Sequence, residues 1–103
     1  MKDLKDEGVF PLEARLTAGR QLRKLQRGDD PDDWKAFEEV GPGTKEIRIK
    51  LADGAFRILY VAKFPEAVYV LHCFQKKTEK TSLKDKLIAK TRYKTIIRER
   101  IKS

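Results

Sequence analysis

The feature that most constrains this chain is a change of period. From Lys45 the apolar residues Ile47, Ile49 and Leu51 alternate with Glu46, Arg48 and Lys50, and the run stops at Ala52-Asp53-Gly54-Ala55. Strict alternation sends one set of side chains to each face of a strand, and Asp-Gly is a favoured two-residue hairpin loop. A second strand then runs from Ala55 to about Lys63. With Asp53 and Gly54 as the loop, Leu51 is expected opposite Phe56, Lys50 opposite Arg57, and Arg48 opposite Leu59. Ile47, Ile49, Leu51, Phe56, Ile58 and Tyr60 then share one face. Arg48, Lys50 and Arg57 gather on the other, with Glu46 as the one acid at their edge.

A third strand is expected over Val68 to Gln75, apolar on both sides as a central strand is, and it ends at Lys76-Lys77. Helical segments flank the strands. Pro11 suits an early helix position and Gly28 a stop, with Leu12, Leu16, Leu22 and Leu25 read as the inner face and Arg15, Arg20, Arg23, Lys24 and Arg27 as a basic outer one. Asp29-Asp30-Pro31-Asp32-Asp33 reads as an acidic turn in which Asp32 or Asp33 caps a short helix carrying Trp34 and Phe37. These carboxylates lack the spacing of a calcium loop. A last helix starts near Ser82, capped together with Asp85. The expectation is an α+β fold, a small antiparallel sheet of three or four strands packed by N-terminal helices and a C-terminal helix.

At 103 residues the chain fits a single domain, 1–103. Its longest strongly apolar stretch, Ile58 to Ala62, is too short to span a bilayer, and Met1-Lys2-Asp3-Leu4-Lys5-Asp6-Glu7 lacks the apolar run of a signal peptide. The lone Cys73, within an apolar strand, reads as a buried thiol. These features point to a cytoplasmic protein without a membrane partner.

The net charge of +8 is uneven: residues 1–44 hold 8 Lys/Arg against 10 Asp/Glu, and residues 45–103 hold 16 against 6. The C-terminal part therefore attracts polyanions. Like charges opposed on a sheet cost about 0.2–1 kcal/mol per pair, a cost that a bound phosphate relieves. Arg48, Lys50 and Arg57, joined by Lys76 and Lys77 from the next strand end, thus form a candidate phosphate site, with Lys45 and Lys80 as further RNA-binding residues. One histidine, His72, cannot supply a two-histidine acid/base pair, and its mid-strand position reads as core or edge. No carboxylate set suits two magnesium ions, so no metal or other cofactor is expected. Chemistry remains possible on RNA, where a 2′-hydroxyl attacks its own phosphate once the backbone is oriented and the phosphoryl charge is stabilised.

Phe10-Pro11-Leu12-Glu13, Gln26-Arg27-Gly28, Gly41-Pro42-Gly43, Glu46-Ile47-Arg48, the run from Asp53 to Lys63, Ala67 to His72, Phe74-Gln75-Lys76-Lys77-Thr78 and Ala89-x-x-Arg92-Tyr93 together resemble the HigB-like, phage-derived branch of the RelE/ParE toxins. The resemblance covers nearly the whole chain. It implies a RelE-like fold and the toxin of a type II toxin–antitoxin pair, a ribosome-dependent mRNA endonuclease that inhibits translation. The implied partners are a helix-turn-helix (HigA-like) antitoxin, the ribosome and mRNA, with operator DNA reached only through the antitoxin complex. By position it assigns Arg57 to the transition-state phosphate, Lys50 or Arg48 to 2′-hydroxyl activation, and Lys77 to the leaving-group side. In two respects the chain departs from the pattern: an apolar strand before the first helix is not evident after Met1, and no tyrosine lies between Ser82 and Leu87 to stack on RNA. Tyr93 reads as a packed residue. A binding protein of the same fold without nuclease activity, or a ParE-like gyrase inhibitor, are the alternatives.

Overall fold

The computed structural model describes residues 10–52, 54–77 and 80–102. The elements run α1 (Leu12–Gln26), β1 (Trp34–Ala36), β2 (Thr44–Leu51), β3 (Gly54–Val61), β4 (Tyr69–Lys76) and α2 (Leu83–Lys102). The strands form one antiparallel sheet in the order β1-β2-β3-β4. This is the expected α+β architecture, with one correction: the short helix proposed for Trp34 and Phe37 is the edge strand β1. Trp34 pairs with Ile47, Lys35 with Glu46 and Ala36 with Lys45. An isolated three-residue segment has no strong preference of its own, and β2 offers it a row of unpaired backbone groups. Asp32 caps no helix there. Its backbone N–H donates to Gln21 Oε1 (2.8 Å), the Gln21 amide donates to its carboxylate (2.8 Å), and Lys24 pairs with the same carboxylate.

The hairpin register also differs. Leu51 pairs with Gly54, Lys50 with Ala55, Ile49 with Phe56 and Arg48 with Arg57. Gly54 therefore belongs to β3, and Asp53 lies outside the described residues. At φ +144° Gly54 holds a backbone conformation that L side chains rarely adopt. The offset moves every pair by two positions, an even number, so each side chain keeps its expected face. Ile47, Ile49, Phe56, Ile58 and Tyr60 pack with Phe10, Ala14, Ala18, Leu22 and Cys73 in the core beneath α1.

On the opposite face Leu59, Val61, Leu71 and Phe74 pack with Val40, Ala89 and Tyr93 beneath α2. The strand expected to be central, β4, is instead an edge strand that pairs with β3 alone; β2 and β3 are the interior strands, β3 being buried from Phe56 to Val61. A bulge in β4 leaves Leu71 unpaired between His72, opposite Leu59, and Val70, opposite Tyr60. Arg92 of α2 donates to the Leu71 carbonyl (2.8 Å), tying the helix to this irregularity.

α1 begins on Pro11 and ends in a Schellman arrangement. Gly28, at φ +86°, donates to the Leu25 carbonyl (3.0 Å) and Asp29 to that of Lys24 (2.8 Å). Its inner face is Ala14, Ala18, Gln21 and Leu22, with Leu25 partly covered. Leu12 and Leu16, expected inside, are 63% and 58% exposed. At 100° per residue Leu16 lies directly opposite Leu25 and Leu12 stands off the face centred on Ala14 and Ala18, and the small alanines let α1 sit close on the sheet. α2 starts as expected: Asp85 N–H donates to Ser82 Oγ (3.1 Å). The expectations about Met1 to Glu7 and a preceding strand fall outside the described residues.

The Gly41-Pro42-Gly43 break has a packing cause. A Cβ on Gly41 would sit 2.6–2.8 Å from ring atoms of Tyr93, and one on Gly43 would sit 2.6 Å from Lys63 Cδ. The Tyr93 hydroxyl donates to the Pro42 carbonyl (2.6 Å) and accepts from Lys63 (3.3 Å). Tyr93 is thus a packed residue that locks α2 onto the loop leading into β2.

Candidate nucleic-acid interface

Alternation along four neighbouring strands assembles the site. Lys35 on β1, Glu46 and Arg48 on β2, Arg57 on β3 and Lys76 on β4 project from the sheet face that carries α2. Arg48 stands directly opposite Arg57, so the opposed like charges expected from the sequence are present, between Arg48 and Arg57 rather than Lys50 and Arg57.

Glu46 is what makes this tolerable. It lies inside the group, not at its edge, with no solvent exposure, and its Oε1 is 3.6 Å from Arg48 Nε, 3.8 Å from Arg57 Nε and 3.8 Å from Lys35 Nζ. Arg57 is itself buried and uses Nη1 to donate to the Phe56 carbonyl (3.0 Å). Among the described residues neither oxygen of Glu46 has a hydrogen-bond partner, and the Nε groups of Arg48 and Arg57 have none either. One carboxylate therefore faces three cations at ion-pair distance without consuming their donors, and the group stays net positive. Guanidinium forks held this way suit a two-oxygen grip on phosphate.

Lys76 completes the group across the sheet from Lys50, both flanking Ala55. Burial pushes the Lys76 ammonium below the usual lysine range, and the nearby Arg57 pushes it further the same way, partly opposed by Glu46. An amine moved in this direction exchanges a proton more readily near neutral pH. Lys76 also lines, with Lys35, Phe37, Lys80 and Lys86, an open cleft of about 370 Å³ between the β1 edge and the start of α2. Glu39 at the same cleft is paired with Lys86 (2.5 Å), which lowers its carboxyl pKa.

Of the residues singled out from sequence, Arg48, Arg57 and Lys76 come together, and Lys80 lies at the cleft. Lys50 is on the same face but exposed, and Lys77 is exposed just past the end of β4. Lys45 is on the other face, its ammonium 4.5 Å above the Trp34 ring, and is not part of the group. Lys35 went unnoticed in the sequence because its segment was read as helix. The one signal for it is the Trp-Lys-Ala alternation of a three-residue strand. His72 is buried, stacked on Phe74 (5.2 Å between centroids), with Nε2 2.8 Å from Asp85 Oδ1, which suits a core histidine. Among the described residues no three His, Cys, Asp or Glu side chains converge as metal ligands would. Nor is any helix of the described residues long and apolar enough to cross a membrane.

A small antiparallel sheet between an N-terminal and a C-terminal helix, with a cationic group on one sheet face, defines an α+β protein. The chain matches the family of phage-derived Gp49-like proteins (DUF891) over residues 6–94, and it belongs to that family. The family is toxin-like and is associated with RelE-type toxins, which are endoribonucleases. No curated protein and no solved structure gives a match.

Proposed function

We propose that this protein is the toxin of a type II toxin–antitoxin pair of the HigB-like branch and cuts mRNA at the ribosome without a metal. The observation that carries the reading is the arrangement of Lys35, Arg48, Arg57 and Lys76 around buried Glu46 on one sheet face. In the reaction the 2′-oxygen bonds to the adjacent phosphorus as the bond from phosphorus to the 5′-oxygen breaks. One proton leaves the 2′-hydroxyl and one is delivered to the 5′-oxygen. Arg57, immobilised by Glu46 and the Phe56 carbonyl, grips the phosphoryl oxygens and stabilises their growing charge. Arg48, directly opposite, orients the same group, with exposed Lys50 beside it on the 2′-hydroxyl side. Lys76 fits proton transfer better than Lys77, because it is partly buried and its proton is loosened. Glu46 touches no substrate in this scheme; it is a positioning residue.

The partners in this reading are mRNA in the ribosome, reached by a strongly basic surface, and a helix-turn-helix antitoxin from the same operon. Operator DNA is reached only through that complex, and the site of action is the cytoplasm. Induction in growing cells is expected to arrest growth and to leave cuts inside translated codons, read by primer extension. Intact transcripts with normal growth would reject the reading. A binding protein without nuclease activity is favoured by one observation only, that Glu46 already offsets part of the charge. That alternative predicts toxicity unchanged in Arg57→Ala.

A further inference from the structure

α1 presents an outward stripe that the sheet-face site does not use. Leu12 and Leu16 are 63% and 58% exposed, and Arg20, Arg23 and Arg27, all exposed, continue the same line. At 100° per residue these five positions fall within a quarter of the helix circumference, over about 22 Å of helix. The stripe is apolar in its first half and cationic in its second. Single exposed leucines are ordinary, but here the helix turns two leucines out while burying Ala14, Ala18 and Gln21. α1 covers the sheet face opposite the cation group, so RNA held at Arg57 cannot account for it. The exposed Leu83 and Leu87 of α2, in contrast, are neighbours in sequence of the cleft residues Thr81 and Lys86.

We infer that the stripe Leu12–Leu16–Arg20–Arg23–Arg27 is the docking surface for an acidic amphipathic helix of a protein partner. Charge complementarity selects this occupant. A matching helix offers an apolar pair against the leucines and, two to four turns along, carboxylates at spacings of three and four against the arginines. A nucleic acid would answer the arginines and leave the leucines wet. The inference rests on the toxin reading, under which the partner is the antitoxin, and adds the surface by which it is held.

The test uses the full chain produced with the helix-turn-helix protein encoded beside it. Leu12→Lys/Leu16→Lys is expected to stay folded, since both sites are exposed, and to arrest growth as the unaltered chain does. Its affinity for the partner should fall about 30-fold or more, so that co-production no longer restores growth. Arg20→Glu/Arg23→Glu should behave likewise and be rescued when two partner carboxylates are changed to arginine. Full neutralisation of both variants would overturn the inference and leave the toxin reading standing. So would loss of toxicity in either folded variant, which would assign the stripe to the ribosome, or self-association of the unaltered chain abolished by Leu16→Lys. An unaltered chain that neither arrests growth nor binds the neighbouring protein would instead remove the reading beneath it.

Discussion

Glu46 Oε1 lies 3.8 Å from Arg57 Nε, in a place where the carboxylate has no exposure and the arginine almost none. The pair is central to the fold, because it sets a carboxylate beside a guanidinium beneath the sheet surface while Arg57 Nε makes no hydrogen bond. Removing one partner of a buried pair leaves the other uncompensated, which costs more than forming the pair gains.

Glu46→Gln is therefore expected to lower the unfolding free energy by about 3 kcal/mol, the low end of the range for broken buried pairs because Arg48 and Lys35 retain access to water. Urea unfolding checks this. An unchanged midpoint would mean that the three cations do not depend on the carboxylate.

The Gly41–Tyr93 contact makes a separate prediction about packing. Gly41→Ala places a Cβ within 2.8 Å of the Tyr93 ring and should cost about 1–3 kcal/mol as an overpacked site. Tyr93→Phe removes the donor to the Pro42 carbonyl and should cost about 1 kcal/mol. Removing the ring takes away what the new Cβ would strike, so the effects of Gly41→Ala and Tyr93→Leu should be non-additive in a double-mutant cycle. Strict additivity would show that the two residues do not press on each other.

Lys76 carries the pH dependence of the site. Its pKa is lowered in the folded state, so between that value and the ordinary lysine value the unfolded chain binds more protons than the folded one. Stability contributed at this residue should rise with pH through that window and be lowest below it, the reverse of a salt-bridged lysine. Lysine side-chain NMR should show Lys76 titrating below its neighbours. In Arg57→Gln it should move partly back up, since burial, the larger cause, remains. A Lys76 that titrates with the exposed lysines would argue against its proposed part in proton transfer.

Much of this fold was legible because period-two alternation survives small errors. The expected hairpin register was displaced, yet by an even number of positions, so Arg48 and Arg57 still shared a face and the apolar set still faced α1. What failed was information that sequence spacing does not hold. Trp34–Ala36 became a strand only because β2 had an open edge beside it, and Lys35 entered the site with it. Leu22 and Leu25 do face the sheet, but Leu12 and Leu16 do not, because Ala14 and Ala18 share the inner face with Leu22 and let the helix approach the sheet closely. Glu46 looked peripheral in a list of charges, and its burial depends on the neighbours that β1 and β3 place around it.

The most direct test of the central claim is a defined translation reaction with purified protein, in which message ends are mapped and the single-turnover cleavage rate is measured. The account predicts cuts within codons that leave 5′-hydroxyl ends, and a rate for Arg57→Ala lower by about 100-fold or more, as expected when a preorganised oxyanion donor is lost, with the fold retained. Intact message, or cleavage by Arg57→Ala at the rate of the unaltered protein, would contradict it.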